Sequence, residues 1–203
     1  MRHYDIPGCL DHQHSTNFEW RMAGGGIQSL VFYYHTLFYY HTLSDLYSSI
    51  TVHDYGCGMG DGIALIQAAF PKWLCFGFDV DGERVYCARN RWPTIPFEVA
   101  DVITTEREAD VIMSIHTLEH VPNALSVVSR LRSLCKYLVI VYPDLTHEAR
   151  GGHSLEALSS AEFGTAMTPH AIHQSHYVTA RRYSHDEPLM LEGNNLFVLR
   201  GER

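Results

Sequence analysis

With 203 residues, of which 46% are hydrophobic and 19% charged, the chain has the composition of one ordinary globular domain and enough length for a sizeable core. A formal net charge of −8 argues against a long nucleic acid as partner, because phosphate contacts need a basic face. No apolar run reaches the roughly 18 residues of a membrane helix, and the first residues lack an apolar signal stretch, so we expect a cytoplasmic protein with no membrane partner.

The five cysteines and fourteen histidines form no recognisable disulfide or metal pattern. The cysteine number is odd and no C-x-x-C occurs, so we expect reduced thiols. His170, His173 and His176 are spaced by three, which on a helix would spread them over about 240° instead of along one face. We therefore predict no metal site, with a site at these histidines as the weaker alternative.

Residues 1–49 are expected to form an aromatic cap segment before the first strand. Within it, Phe32–Leu37 is repeated as Phe38–Leu43. Length and the absence of turn residues favour a helix, while the β-rich composition keeps a strand as the alternative. Because six residues leave an offset of about 120° around a helix, its aromatic side chains would occupy more than one side.

The stretch Thr51–Gly62 has the pattern of a strand, a glycine turn and the start of a helix, with glycine at positions 56, 58, 60 and 62. Such a junction brings backbone N–H groups close to a ligand at the positive end of a helix dipole. The spacing is not the G-x-G-x-x-G of nicotinamide sites, and no Walker lysine follows. A nucleoside-type ligand suits this turn.

Strand and helix patterns alternate after this turn, which indicates a doubly wound, mostly parallel sheet in an α/β fold. Ligands of such sheets bind beyond the carboxyl ends of the strands. The predicted strands are Thr51–Tyr55, Trp73–Phe78, Phe97–Ala100, Asp110–Ile115 and Tyr137–Val141, and the predicted helices are Asp61–Phe70, Gly82–Arg91 and Asn123–Leu134.

The last fifty residues lose this rhythm. Ser159–Glu162 has the pattern of a capping box before a short helix. Arg182–Leu191 and Asn195–Arg200 are predicted to pair across a turn at Glu192-Gly193-Asn194, as an antiparallel end to the sheet. We expect a single domain over 1–203, with a cofactor-binding core over 50–145 and a substrate-side region over 146–203.

An acidic residue marks the end of each of the first three predicted strands: Asp54, Asp79 and Asp101. Asp79 lies 19 residues after Gly60 (79 − 60), a spacing that suits a carboxylate accepting hydrogen bonds from a ribose diol. Asp101, one strand over, is placed to meet the exocyclic amine of a purine. Three acids beside a glycine turn favour a ligand site over solvated side chains.

The stretch from Thr51 to Asp144 resembles the class I S-adenosylmethionine-dependent methyltransferases. The matching segments, in the family's order, are HDYGCGMG, FGFDVD, FEVADV, DVIMSIHTLEHVPN and LVIVYPD. The resemblance covers about half the chain and implies a Rossmann-like, seven-stranded sheet with an antiparallel seventh strand. It also implies S-adenosyl-L-methionine as the cofactor.

The resemblance further implies roles for individual residues. The glycine turn would surround the methionine part of the donor, Asp79 the ribose and Asp101 the adenine, while Ser114 and His116 would face the methyl group. The expected cofactor-binding residues are Asp54, Gly56, Cys57, Gly58, Gly60, Asp79, Val80, Asp101, Val102, Ser114 and His116. The family's usual Thr or Ser after the turn is replaced by Asp61-Gly62, which alters contacts at the donor's carboxylate.

The sequence after the fourth strand bears on the acceptor. It has neither the D/N/S-P-P-Y/F run of enzymes that methylate amines of nucleic-acid bases nor a Pro-Cys nucleophile. Leu118–Asn123 resembles members that act on small molecules, and Pro143-Asp144 with Gly152-His153 weakly resembles members that act on glycans. We predict methyl transfer to an oxygen or nitrogen of a small acceptor, with a non-catalytic cofactor- or partner-binding module as the alternative.

An oxygen nucleophile needs a proton acceptor, for which a histidine suits neutral pH. His116, at a strand's carboxyl end, and His153, on a nearby loop, are the candidates. The aromatic segment is expected to cover the acceptor pocket, with a homodimer interface as the alternative. Its candidate acceptor contacts are Tyr33, Tyr34, Tyr39 and Tyr40.

Overall fold

The computed structural model describes residues 33, 36, 37, 40, 49–144, 158–181 and 190–203, without the side chains of 179–181 and 190–192. Its centre is a seven-stranded sheet in the order β3-β2-β1-β4-β5-β7-β6. Pairing is parallel from β3 through β5 and antiparallel on both sides of β7. The strands are β1 (Thr51–Tyr55), β2 (Leu74–Asp79), β3 (Phe97–Val99), β4 (Ala109–Ile115), β5 (Cys135–Pro143), β6 (Ala171–Arg181) and β7 (Met190–Arg200). The predicted α/β fold with a mostly parallel sheet is confirmed.

After β1, the described residues form four α-helices, which are α1 (Asp61–Ala69), α2 (Gly82–Arg91), α3 (Ala124–Ser133) and α4 (Ser160–Met167), with 3₁₀ turns at Leu118–His120 and Thr168–His170. α2 begins where the Asp81 side chain accepts two backbone N–H groups. α4 begins at the predicted capping box, formed reciprocally by Ser159 and Glu162. Local capping chemistry thus sets where these two helices start.

Apolar side chains are buried on both faces of the sheet. One cluster packs beneath α1 and α2, through Ile63, Ile66 and Val85. The other packs beneath α3 and α4, through Leu131 and Phe163. Within the described ranges, no helix is both long enough and apolar enough to span a membrane.

The aromatic segment is described at four positions, Tyr33, Thr36, Leu37 and Tyr40, all of which are helical, as predicted. Their spacing of three, four and seven places them on one helix face, and that face lies against the sheet. Tyr40 is fully buried, with its ring in edge contact with Phe70 and Trp73 and its hydroxyl 3.2 Å from Met113 Sδ.

The turn predicted at Glu192-Gly193-Asn194 is wrong. β7 runs through these residues without a break, and its hairpin partner is β6 instead of Arg182–Leu191. The polar residues serve packing: Asn194 is fully buried, and a Cβ at Gly193 would crowd Asp144 and His176. Glycine occupies position 193 because Asp144 and His176 approach the backbone of β7 closely at this point.

β6 also changes the interpretation of the three spaced histidines. His173 and His176 lie on this extended strand, where an odd separation directs their side chains to opposite faces. In the part of the chain that the structure describes, no three His, Cys, Asp or Glu side chains form a group suited to a metal ion. The described cysteines, Cys57, Cys75, Cys87 and Cys135, carry free thiols, and Cys9 lies outside the described residues.

Candidate functional site

The glycine turn after β1 is held by the end of β2. The N–H groups of Gly56 and Cys57 both donate to the carbonyl oxygen of Phe78, at 2.8 and 3.0 Å. Gly56, Gly58 and Gly60 have φ values of 84°, 57° and 81°, a left-handed conformation that glycine adopts at little cost. The turn leads directly into α1, and glycine is needed at two of these positions because a Cβ at Gly56 would collide with Thr117 and one at Gly60 with Phe97.

Asp79 braces this turn from the end of β2. Its Oδ2 accepts the N–H of Gly58 at 2.8 Å, and its Oδ1 accepts the N–H of Asp81 at 3.0 Å. The side chain is only 6% exposed, so it is fixed in place. Each carboxylate oxygen can accept a further hydrogen bond, which is what a ribose diol would require.

Asp54 lies in β1 with no exposed surface. Its Oδ2 accepts the hydroxyl of Tyr33 at 3.0 Å, while its Oδ1 has no hydrogen-bond partner among the described residues. Burial raises the pKa of Asp54 to about 8, the hydrogen bond from Tyr33 opposes that rise, and the charge of Asp79 adds to it. A buried carboxyl with one unsatisfied oxygen is suited to a cationic or hydrogen-bond-donating ligand.

Asp101 follows β3 beside the end of β2. Its neighbour Ala100 donates its N–H to the carbonyl oxygen of Asp79 at 3.0 Å, which brings the two acids to one sheet edge. Asp101 Oδ1 accepts the N–H of Ile103 at 2.8 Å, and Val102 is 5% exposed. Val80, at the end of β2, is 38% exposed. An exposed apolar side chain, Val80, and an acid, Asp101, thus follow two paired strands, and a purine base would need both kinds of contact.

His116 follows β4 in a left-handed conformation, with φ of 50°. Its Nε2 lies 2.6 Å from Asn194 Oδ1, and its Nδ1 lies 3.4 Å from Glu119 Oε1. Two residues earlier, the buried Ser114 Oγ has no hydrogen-bond partner in the described part of the chain. Both ring nitrogens of His116 are therefore oriented by neighbouring oxygens at the carboxyl end of β4.

Glu119 is a positioning neighbour of His116 and is 1% exposed. Burial would raise the pKa of its carboxyl, but the hydrogen bond and charge of His116, together with the charge of His120, hold the pKa below the usual value. Neither Glu119 nor Asn194 was among the site residues expected from the sequence. The spacing of Glu119 three residues after His116 was an available signal, whereas Asn194 is 78 residues away and gave none.

A second histidine and acid pair lies at the same sheet edge. His176 Nε2 is 3.5 Å from Asp144 Oδ2, and both side chains are about half exposed. Gly193 of β7 lies beside both side chains, and its carbonyl oxygen accepts the N–H of Asp144 at 2.7 Å. Asn194, next in the chain, contacts His116, so one short piece of β7 joins both histidines.

The remaining predicted site residues divide into two groups. Tyr33 and Tyr40 are inside the protein, against Asp54 and Met113 respectively. Three others, His153, Tyr34 and Tyr39, lie outside the described residues.

Comparison with known proteins finds a matching family model and curated relatives. A family model described as a methyltransferase domain matches residues 33–178. Trans-aconitate 2-methyltransferase of Methylobacterium radiotolerans is 36% identical over 83 residues, covering 40% of this chain and 32% of that protein. The corresponding protein of Methylobacterium nodulans is 33% identical over 102 residues, covering 48% and 40%. The chain thus spans less than half the length of these curated relatives.

Solved structures share the fold at low identity. Magnesium protoporphyrin IX methyltransferase (ChlM) from Synechocystis PCC 6803 with bound SAH has a TM-score of 0.64 and 19% identity, covering 86% of this chain and 84% of that chain. TehB from Haemophilus influenzae has a TM-score of 0.63 and 11% identity, covering 79% and 60%. At these identities, the likeness extends to the fold alone.

Proposed function

Because the chain belongs to the methyltransferase domain family, we propose that it transfers a methyl group from S-adenosylmethionine to an oxygen or nitrogen of a small acceptor. The observation that carries this proposal is the pair of buried acids, Asp54 and Asp79, on either side of the glycine turn. A structural ion pair does not account for them, because Asp54 keeps an oxygen without a described partner.

The described residues would offer contacts to each part of this donor. Asp79 would accept the ribose hydroxyls, Asp101 and Val102 would contact the adenine, and Asp54 with the glycine turn would hold the amino-acid end. When bound, S-adenosylmethionine supplies an electrophilic methyl group on a sulfonium centre. Proximity and orientation of the acceptor supply most of the rate gain in such an attack.

The acceptor side, in this proposal, is the sheet edge formed by His116, Asn194, Asp144 and His176, here called the acceptor edge. His116 Nδ1 faces Glu119 and Nε2 donates to Asn194 Oδ1, so Nε2 would take a proton from an acceptor hydroxyl only after it has released the proton that it donates here. An acceptor hydroxyl would displace the Asn194 amide that lies 2.6 Å from Nε2. The weak resemblance to members that act on glycans stays a sequence observation, of which Pro143-Asp144 is described and Gly152-His153 lies outside the described residues.

A carboxylate is a second candidate acceptor. The two curated relatives are named for trans-aconitate, a tricarboxylate, and two imidazole rings line the acceptor edge. An imidazole N–H donates well to a carboxylate. A carboxylate is already deprotonated near neutral pH, so its methylation needs no general base.

The two acceptor classes separate in one experiment with labelled donor. Wild-type protein, His116→Asn and the exposed control His170→Asn would be assayed for methyl incorporation into trans-aconitate, sugars and small amines. For a hydroxyl acceptor we expect His116→Asn to lower kcat by roughly 10²–10⁴, the usual contribution of a general base. For a carboxylate acceptor, we expect a loss of less than about tenfold.

The control His170→Asn should retain wild-type turnover in either case. Incorporation that His116→Asn leaves unchanged for a hydroxyl acceptor would remove His116 as the base. Donor binding without incorporation into any acceptor class would favour the non-catalytic alternative.

A further inference from the structure

Tyr33 lies against the glycine turn and not on an open acceptor surface. Its side chain is 6% exposed, and its hydroxyl donates to Asp54 Oδ2 at 3.0 Å. Its ring fills the space above Gly62, in the first turn of α1, where a Cβ would collide with it. Tyr33 therefore reaches the turn from the aromatic segment, although it lies 21 positions before Asp54 in the chain.

Packing alone does not explain this placement. Tyr40, on the same helix face, packs its ring between Phe70 and Trp73 and directs its hydroxyl to a sulfur atom. Tyr33 instead directs its hydroxyl to a buried carboxyl. Burial and the charge of Asp54 raise the pKa of Tyr33, so its hydroxyl keeps its proton and donates.

Two oxygen atoms at this place remain able to accept hydrogen bonds. Asp54 Oδ1 has no partner among the described residues, and a phenol oxygen that donates its proton retains lone pairs. Once Asp54 has released the proton that burial otherwise retains, a release that a bound cation favours, they offer two acceptors in a buried position at the start of α1. An ammonium group, with three N–H donors and a positive charge, is the chemical class that matches them.

We propose that Tyr33 is a donor-binding residue, whose hydroxyl oxygen joins Asp54 Oδ1 in holding the α-ammonium group of S-adenosylmethionine. This assignment rests on the proposed function and moves Tyr33 from the acceptor contacts expected from the sequence to the amino-acid end of the donor. The aromatic segment then forms part of the donor site, and Gly62 is required because a side chain there would displace the Tyr33 ring.

The test compares two ligands that differ in the amino-acid end. S-Adenosylhomocysteine carries the α-ammonium group, whereas 5′-methylthioadenosine lacks it and keeps the nucleoside. Isothermal calorimetry would measure both ligands on wild-type protein, Tyr33→Phe and Gly62→Ala. We expect Tyr33→Phe to weaken S-adenosylhomocysteine about tenfold, the scale of a hydrogen bond to a charged group, and to leave methylthioadenosine unchanged. Gly62→Ala should show the same selectivity.

Tyr142→Phe is the matched control, since it also removes a buried hydroxyl, one that donates to the carbonyl oxygen of Leu158 on the other face of the sheet. It should leave both affinities at the wild-type value, and melting curves would show that each variant is folded. Equal loss of both ligands in Tyr33→Phe, or no loss of either, would overturn the proposal. If wild-type protein binds neither ligand, the proposed donor itself is wrong, which is a different result.

Discussion

Asp54 shows how a single buried carboxyl can reduce the stability of the folded protein. Its carboxyl is fully buried, its pKa is raised to about 8, and one oxygen lacks a described partner. In the unfolded chain an aspartate releases its proton near pH 4. Between about pH 4 and pH 8 the unfolded state therefore loses a proton that the folded state keeps, and the folded protein loses stability as the pH rises.

Replacement by asparagine removes this pH-dependent cost while keeping an oxygen for the Tyr33 hydroxyl. We expect Asp54→Asn to raise the free energy of unfolding at pH 7 by about 4 kcal/mol, since each of the roughly three pH units above the unfolded pKa costs the wild type about 1.4 kcal/mol, with the gain vanishing towards pH 4. Urea unfolding of both proteins at several pH values measures it. A variant less stable than wild type at pH 7, or a difference independent of pH, would contradict the raised pKa.

At the scale of elements, the pairing of β2 and β3 depends on a glycine. A Cβ at Gly77, in β2, would meet the ring of Phe97 and the sulfur of Cys57, both buried. Gly82, at the start of α2, has only Val99 at ordinary contact distance. One extra methyl group should therefore have opposite consequences at these two positions.

We expect Gly77→Ala to destabilise the protein by about 1–3 kcal/mol, the usual cost of overpacking. Gly82→Ala should leave stability unchanged or raise it slightly, because alanine is the better helix former. Denaturant unfolding of both variants provides the comparison. Equal stability of the two would show that Phe97 and Cys57 yield freely to a side chain at position 77.

Elements with strong local signals were predictable from the sequence. β1 and α2 have the predicted bounds, because apolar alternation, a capping acid and Trp92-Pro93 mark them within a few residues. β7 was not predictable, since Gly193 and Asn194 have the composition of a turn and their role depends on distant partners. The same holds for the contact of Asn194 with His116, which only the folded sheet creates.

At the scale of the whole molecule, the sheet brings separate sequence signals to one edge. The family and the methyltransferase class predicted from Thr51–Asp144 are confirmed by the family match over residues 33–178. The residue roles remain predictions. Asp79 contacts the glycine turn through the N–H of Gly58, and Asp101 follows a residue whose N–H donates to the carbonyl oxygen of Asp79. The link from Tyr33 to Asp54 could not be foreseen, because helical periodicity does not say which face meets the sheet.

The most direct test of the central claim is calorimetric titration of the protein with S-adenosylmethionine, S-adenosylhomocysteine and NAD. Both sulfur ligands should bind with dissociation constants in the micromolar range, and NAD should give no heat. Asp79→Ala should weaken both by roughly 1.5–3 kcal/mol, the scale of losing a charged hydrogen-bond partner, and Asp79→Asn should weaken them less. No heat with either sulfur ligand, tight binding of NAD, or unchanged affinity in Asp79→Ala would contradict the assignment of this site.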